Sequence, residues 1–248
     1  MKRIQNAALA RKWWGNAPRS EGEPIRNTPT AAGTFNISLT AQNGVSLNPT
    51  QNFTLTVNQA PAITSANSTT FQVGVAGSFT PTATGSPAPS LTEGGALPGG
   101  VTFHDNGNAT GTLSGTPAAG TGGTYNITFT AGNGVGSNAN QNFTLTVQDF
   151  TISASPGSQT ISAGHSAVYT ISLTSKGGLA GNVSLSCRGG PPTSTCIISP
   201  GSVMLNGTAS ATVTLFASMK VNYGTFTLTF TGTLGSLARS TNVSLTVK

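Results

Sequence analysis

The stretch TYNITFTAGNGVGSNANQNFTLTV, Thr124 to Val147, decides the fold. Ninety residues earlier the chain reads TFNISLTAQNGVSLNPTQNFTLTV, Thr34 to Val57, and 16 of the 24 positions are identical without a gap. In the earlier copy Phe35, Ile37, Leu39 and Ala41 alternate with Asn36, Ser38 and Thr40, and Phe53, Leu55 and Val57 alternate with Thr54 and Thr56. A period of two is the mark of a half-buried strand, because successive side chains point to opposite faces. Asn43-Gly44, and Asn133-Gly134 in the later copy, offer the residues of a tight hairpin turn. Each copy therefore reads as the closing hairpin of a β-sandwich.

A 90-residue period is too long for a solenoid unit and fits whole sandwiches strung in tandem. A full set of strands precedes the later copy. Phe71, Val73 and Val75 alternate, Phe79 follows Gly77, and Asp105-Asn106-Gly107-Asn108 turns the chain between VTF and ATGTLSGTP. Residues 59–148 thus read as a complete sandwich. The earlier copy has no such preamble: Thr28-Pro29 matches Thr116-Pro117, and a basic tail precedes it. Residues 28–58 read as the C-terminal hairpin of a truncated repeat, and residues 1–27 as an unstructured tail. A lone hairpin is marginal in water, so the chain is either a fragment of a longer array or its hairpin borrows a partner; the fragment is the favoured reading. Residues 149–248 alternate differently, in seven strands centred on Ile152, Ile171, Leu185, Ile198, Val213, Leu228 and Leu245, and read as a second sandwich.

The expected fold class is therefore all-β: tandem sandwiches behind an orphan hairpin. Only 6% of residues are charged, against about 25% in an average globular protein. The formal charge of +6 is concentrated in the first 26 residues. There Lys2, Arg3, Arg11, Lys12, Arg19 and Arg26 outnumber Glu21 and Glu23, leaving a net +2 for the rest. Nucleic-acid binding needs clustered cations, and the body has none. No apolar run is long enough to cross a membrane as a helix, and no apolar core follows the initial Lys2-Arg3 as a signal peptide requires. Neither membrane insertion nor a signal peptide is expected in this chain.

The string LPGGVTF…GTLSGTPAAGTGGTYNITFTAGNGVG…QNFTLTV resembles the immunoglobulin-like, cadherin-like repeat of large bacterial surface and secreted proteins. The resemblance covers residues 61–147 and, for its last third, 28–57. It implies a seven-stranded sandwich found in tandem, in an extracellular or cell-surface setting, with neighbouring Ig-like repeats as partners. FTISASPGSQTISAGHSAVYTISLTSKGGLAGNVSLSC…CIISPGSV resembles a second type of bacterial Ig-like repeat, spanning 149–248.

Catalysis needs convergent acids, bases or nucleophiles. The body holds three carboxylates (Glu93, Asp105, Asp149) and two histidines (His104, His165), scattered and turn-proximal. No catalytic residue and no cofactor is expected. Cadherin-like repeats raise the question of calcium, which requires several oxygen ligands; Asp105 and Asp149 are the weak candidates. Cys187 and Cys196 share core-facing parity on neighbouring strands joined by RGGPPTST. They read either as a disulfide, favoured in an oxidising compartment, or as two buried thiols. Sugar recognition usually needs an exposed aromatic platform. Trp13 and Trp14 lie in the tail, Tyr125 and Tyr169 face the core, and Tyr223 in VNYGT is the loop aromatic and candidate ligand contact. The expected function is a non-catalytic stalk or spacer. The alternative is an adhesin, or a module binding cell-wall glycan or protein, carried on its own or by a secreted enzyme.

Overall fold

The computed structural model describes residues 29–41 and 49–248; the expected tail at 1–27 and the Asn43-Gly44 turn lie outside the described residues. Every regular element among the described residues is a strand. β1 (Gly33–Thr40) and β2 (Thr50–Val57) form an antiparallel pair with Phe35 opposite Leu55 and Ile37 opposite Phe53.

The next unit is built from β3 (Gln59–Ile63), β4 (Ser68–Gln72), β5 (Gly77–Phe79), β6 (Ala83–Ser86), β7 (Ser90–Gly94), β8 (Val101–Asp105), β9 (Gly111–Gly115), β10 (Gly123–Gly132) and the first part of β11 (Ala139–Ser155). β7, β10 and β11 are neighbours in one sheet, and β4 joins the other side of β11 in parallel. The sheet β5-β9-β8 packs against them. The alternation read in the sequence becomes the core: Phe129 and Phe143 point inward and stack at 4.9 Å, and they meet Phe103 of β8 at 5.4 Å and Phe79 of β5 at 4.8 Å. Each buried Phe is worth about 1.5–3 kcal/mol of transfer free energy, and tilted ring pairs add about 0.5–1.5 kcal/mol.

Asn133-Gly134 does not make the two-residue turn that its composition suggests, because six residues separate β10 from β11. The Asn133 side chain has longer-range work. Its Nδ2 donates to the carbonyls of Gln59 and Pro87, both at 2.8 Å, while its Oδ1 accepts the Val135 N–H at 3.1 Å. Gly134 and Gly136, at φ 75° and 66°, take the left-handed positions that the longer loop needs. The loop thereby pins the start of β3 to this end of the sandwich.

The last unit comprises the second part of β11 with β12 (Ser158–Ile161), β13 (Ser166–Lys176), β14 (Ala180–Gly189), β15 (Thr195–Ser199), β16 (Ser202–Asn206), β17 (Thr208–Phe216), β18 (Gly224–Leu234) and β19 (Leu237–Val247). One sheet runs β15-β17-β13-β11 and the other β12-β19-β18-β14-β16. Tyr169 and Phe230 meet across the core at 5.7 Å, and the Tyr169 hydroxyl donates to the Ser244 carbonyl at 3.0 Å. The sequence reading omits β12 and β16. Both are edges: β12 has four residues, and in β16 exposed Met204 sits between buried Val203 and Leu205, so hydropathy hides the period of two.

Cys187 and Cys196 are bonded, with Cα atoms 6.5 Å apart. The sequence placed them on neighbouring strands of a hairpin. Instead β14 and β15 belong to opposite sheets, so the bridge staples edge strand β15 across the sandwich. β7, at the edge of its sheet, carries Glu93 opposite Phe129 and on the same side as buried Leu91. An inward-pointing charge on an edge strand discourages pairing with another chain. Burial raises the Glu93 carboxyl above its usual range, and its Oε1 has no hydrogen-bond partner among the described residues.

Two outcomes follow. Replacing Cys187 and Cys196 by Ser opens a loop of nine-residue separation and should lower the stability of the last unit by about 2–3 kcal/mol, read as a lower urea midpoint that matches the wild type under reductant. For Glu93, the raised folded value means that the protonated acid is favoured in the native state. Its contribution is fully present below the unfolded carboxyl range and is lost as pH rises through the folded value. Glu93→Gln should therefore raise the melting temperature at pH 7 and leave it unchanged at pH 3; a destabilised variant at pH 7 would contradict this account.

Candidate functional site

The feature that organises the molecule is the joint at Gln148–Asp149. The sequence treats this point as the boundary between two beads, yet β11 runs straight through it for 17 residues, about 56 Å at the usual rise. What changes there is the set of neighbours. β10 pairs with Ala139–Val147 and β4 with Thr144–Gln148, whereas β13 pairs with Asp149–Ser155. The buried face changes as well. Phe143, Leu145, Val147 and Asp149 are buried with odd parity, then Phe150 is buried and the even parity of Ile152 and Ala154 takes over. Two consecutive buried residues mark the point where one ribbon passes its core side from one sandwich to the other.

Asp149 is 3% exposed, and it is the buried charged residue of the joint. Its Oδ1 accepts the Phe150 N–H at 2.7 Å and lies 2.7 Å from an Arg239 guanidinium nitrogen. Arg239 belongs to β19, so this ion pair ties the second sheet of the last unit to the through-strand. A buried charge left without its partner is strongly destabilising, which makes the pair a condition for this joint. Two glycines let the neighbouring loops close on it. A Cβ at Gly122 would collide with that of Asp149, and one at Gly177 would collide with the Val147 carbonyl. From the other side, the Val73 N–H donates to the Gln148 carbonyl at 3.1 Å. Gly232 leaves room for the Phe150 ring.

The calcium candidates are not brought together. Asp105 ends β8 beside the β9 start, and its Oδ1 accepts the Gly107 N–H at 3.2 Å; Asn108 Oδ1 is taken by the Thr110 N–H and hydroxyl. Asp149 already faces a guanidinium. Neither offers the open, multidentate oxygen set that calcium requires. Among the described residues no group of three or more His, Cys, Asp or Glu side chains could share a metal ion. His104 faces out from β8, and the His165 ring reaches only the Ala163 carbonyl. Tyr223 stands 72% exposed between β17 and β18, in the same loop as the exposed Met219. The joint itself, rather than any single side chain, was the feature that sequence reasoning missed. Its one signal was the abutting run of alternation in QNFTLTVQDFTISAS, which has no turn residue in it.

No curated protein matches the chain. Among solved structures it is similar to the D00-D0 domain of intimin, with 21% identity over 75% of this chain and 98% of that one and a TM-score of 0.45. It is also similar to the I67-I69 fragment of titin, with 13% identity over 90% and 77% of the two chains and a TM-score of 0.42. A family 107 endo-fucoidan hydrolase matches at 14% identity and a TM-score of 0.34, this chain spanning 38% of its length. Residues 60–148 match the family described as "Putative Ig domain", so the unit from β3 into β11 is an immunoglobulin-like repeat of that family, joined in series to a second immunoglobulin-like sandwich.

Proposed function

We propose that the chain is a non-catalytic spacer in a bacterial cell-surface or secreted protein, in which Ig-like modules joined in series hold other parts of the assembly apart. The observation that carries this reading is the uninterrupted β11. A flexible linker would let the modules swivel, whereas a strand hydrogen-bonded on both sides of the joint resists bending. The path of the chain supports it too. Gln59 is held at the Asn133 loop, whereas Val147 pairs with Gly123 at the far end of the same hairpin. In the last unit Arg239 sits at the joint and Val247 eight residues further along β19. Each module is thus entered at one end and left at the other, about 27 Å on for eight strand residues. The neutral surface of Thr, Ser and Asn pairs, such as Thr229–Asn242 at 2.8 Å and Thr130–Asn140 at 2.7 Å, suits a solvated rod. Its partners are neighbouring Ig-like repeats, and its setting is extracellular.

A second reading, adhesion to cell-wall glycan or protein, is favoured by one observation, the exposed Tyr223 and Met219 on one loop. An aromatic face at the tip of a rigid module is suited to a ring or an apolar side chain.

Small-angle scattering should give the length distribution of a stiff, extended pair of modules for the full chain. Arg239→Ala, which strands the buried Asp149, should cost about 3 kcal/mol and broaden that distribution. A wild type already as broad as the variant would defeat the spacer reading. For the second reading, saturable retention on insoluble polysaccharide or whole cell walls that is lost in Tyr223→Ala supports adhesion, and retention no higher than that of a neutral control protein rejects it.

A further inference from the structure

β1–β2 repeats β10–β11 in register as well as in sequence: Phe35 opposite Leu55 and Ile37 opposite Phe53 correspond to Tyr125 opposite Leu145 and Ile127 opposite Phe143. Four of the six apolar face positions are identical, the exceptions being Phe35 for Tyr125 and Leu39 for Phe129. What lies on the two hairpins is not the same. On β10–β11 the strands β5, β8 and β9 cover the face, so that Phe129 and Phe143 are 0% and 1% exposed. β7 and β4 take its two edges. At the equivalent positions of β1–β2, Leu39 and Phe53 are 43% and 49% exposed, and among the described residues no strand pairs with either outer edge. The opposite face is already polar, with Thr54 donating to Asn36 at 3.2 Å and the Thr40 and Thr50 hydroxyls 3.3 Å apart.

We propose that β1–β2 is a docking surface for the front half of an Ig-like repeat, the strands equivalent to β4–β9, supplied by another polypeptide. The covered hairpin shows what such a face accepts. Transferred by register, the β7 equivalent pairs antiparallel along Ser38–Ala41, and the β4 equivalent pairs parallel along Thr54–Val57. The rings equivalent to Phe79 and Phe103 come down on Phe53 and Leu39. The occupant is not residues 59–122 of this chain, nor those of a second copy, because moving them would expose Phe129 and Phe143 and gain no burial. A front half with no hairpin of its own gains the whole face. Completing an open sheet by strands added in trans is an established recognition mode, and here the side-chain pattern supplies the specificity.

The test uses the full chain and, as probe, residues 59–122 of this sequence fused to a soluble carrier, with the carrier alone as control. The expected result is a saturable one-to-one complex and new hydrogen-exchange protection of the β1 and β2 amides. Phe53→Ser should weaken the complex at least tenfold while leaving the melting of residues 59–248 unchanged. Phe143→Ser distinguishes the alternative site. A complex that survives Phe53→Ser but not Phe143→Ser means exchange onto β10–β11 and overturns the proposal, as does the absence of any complex.

Discussion

A strand has two faces, and β11 uses both. Its odd residues fill one sandwich up to Asp149 and its even residues fill the next from Phe150 onward. The rest of the molecule is arranged around that exchange. β10 and β4 stop where β13 begins, glycines at 122 and 177 admit the two loops, and Arg239 arrives from β19 to meet the one carboxylate trapped between the cores. In a chain with so few charges, this buried pair is placed where two modules must hold a fixed relation. Its value lies in specifying that relation more than in net stability, since a buried ion pair roughly balances its own desolvation.

The sequence displays local periodicity well and long-range order poorly. The strands of the repeated hairpin are legible because Phe, Ile, Leu and Val alternate with Thr and Asn over eight or more residues. So are the long strands of the last unit. The short edges are not: β6 reads ATGS, and β7 has Leu91 and an inward Glu93 in place of two apolar residues. Continuity through the joint was illegible for a related reason. Gln148-Asp149 looks like a polar boundary, and the parity change at Phe150 looks like a break, although both belong to one hydrogen-bonded ladder.

The functional residues divide in the same way. Tyr223 is exposed as a loop aromatic flanked by Asn and Gly should be. The parity of Cys187 and Cys196 is a local property and is visible in the text. That they link two sheets depends on where β15 pairs, which no local pattern states. Asp149 could be noticed as a rare carboxylate, but its partner lies 90 residues away on β19. Asn133 likewise looks like a turn residue, and only the fold shows it binding Gln59 and Pro87.

The two parallel pairings have a mechanical meaning. β4 runs beside β11 over five residue pairs, and β12 beside β19 over four. A pull between Gln59 and Lys248 draws the members of each pair past one another along their length. The hydrogen bonds of a ladder are then loaded together in shear instead of parting one at a time as in an unzipped hairpin. The Cys187–Cys196 staple lies off that load path, in the loop between β14 and β15, so the resistance of each module to tension resides in a few backbone hydrogen bonds beside its exit strand.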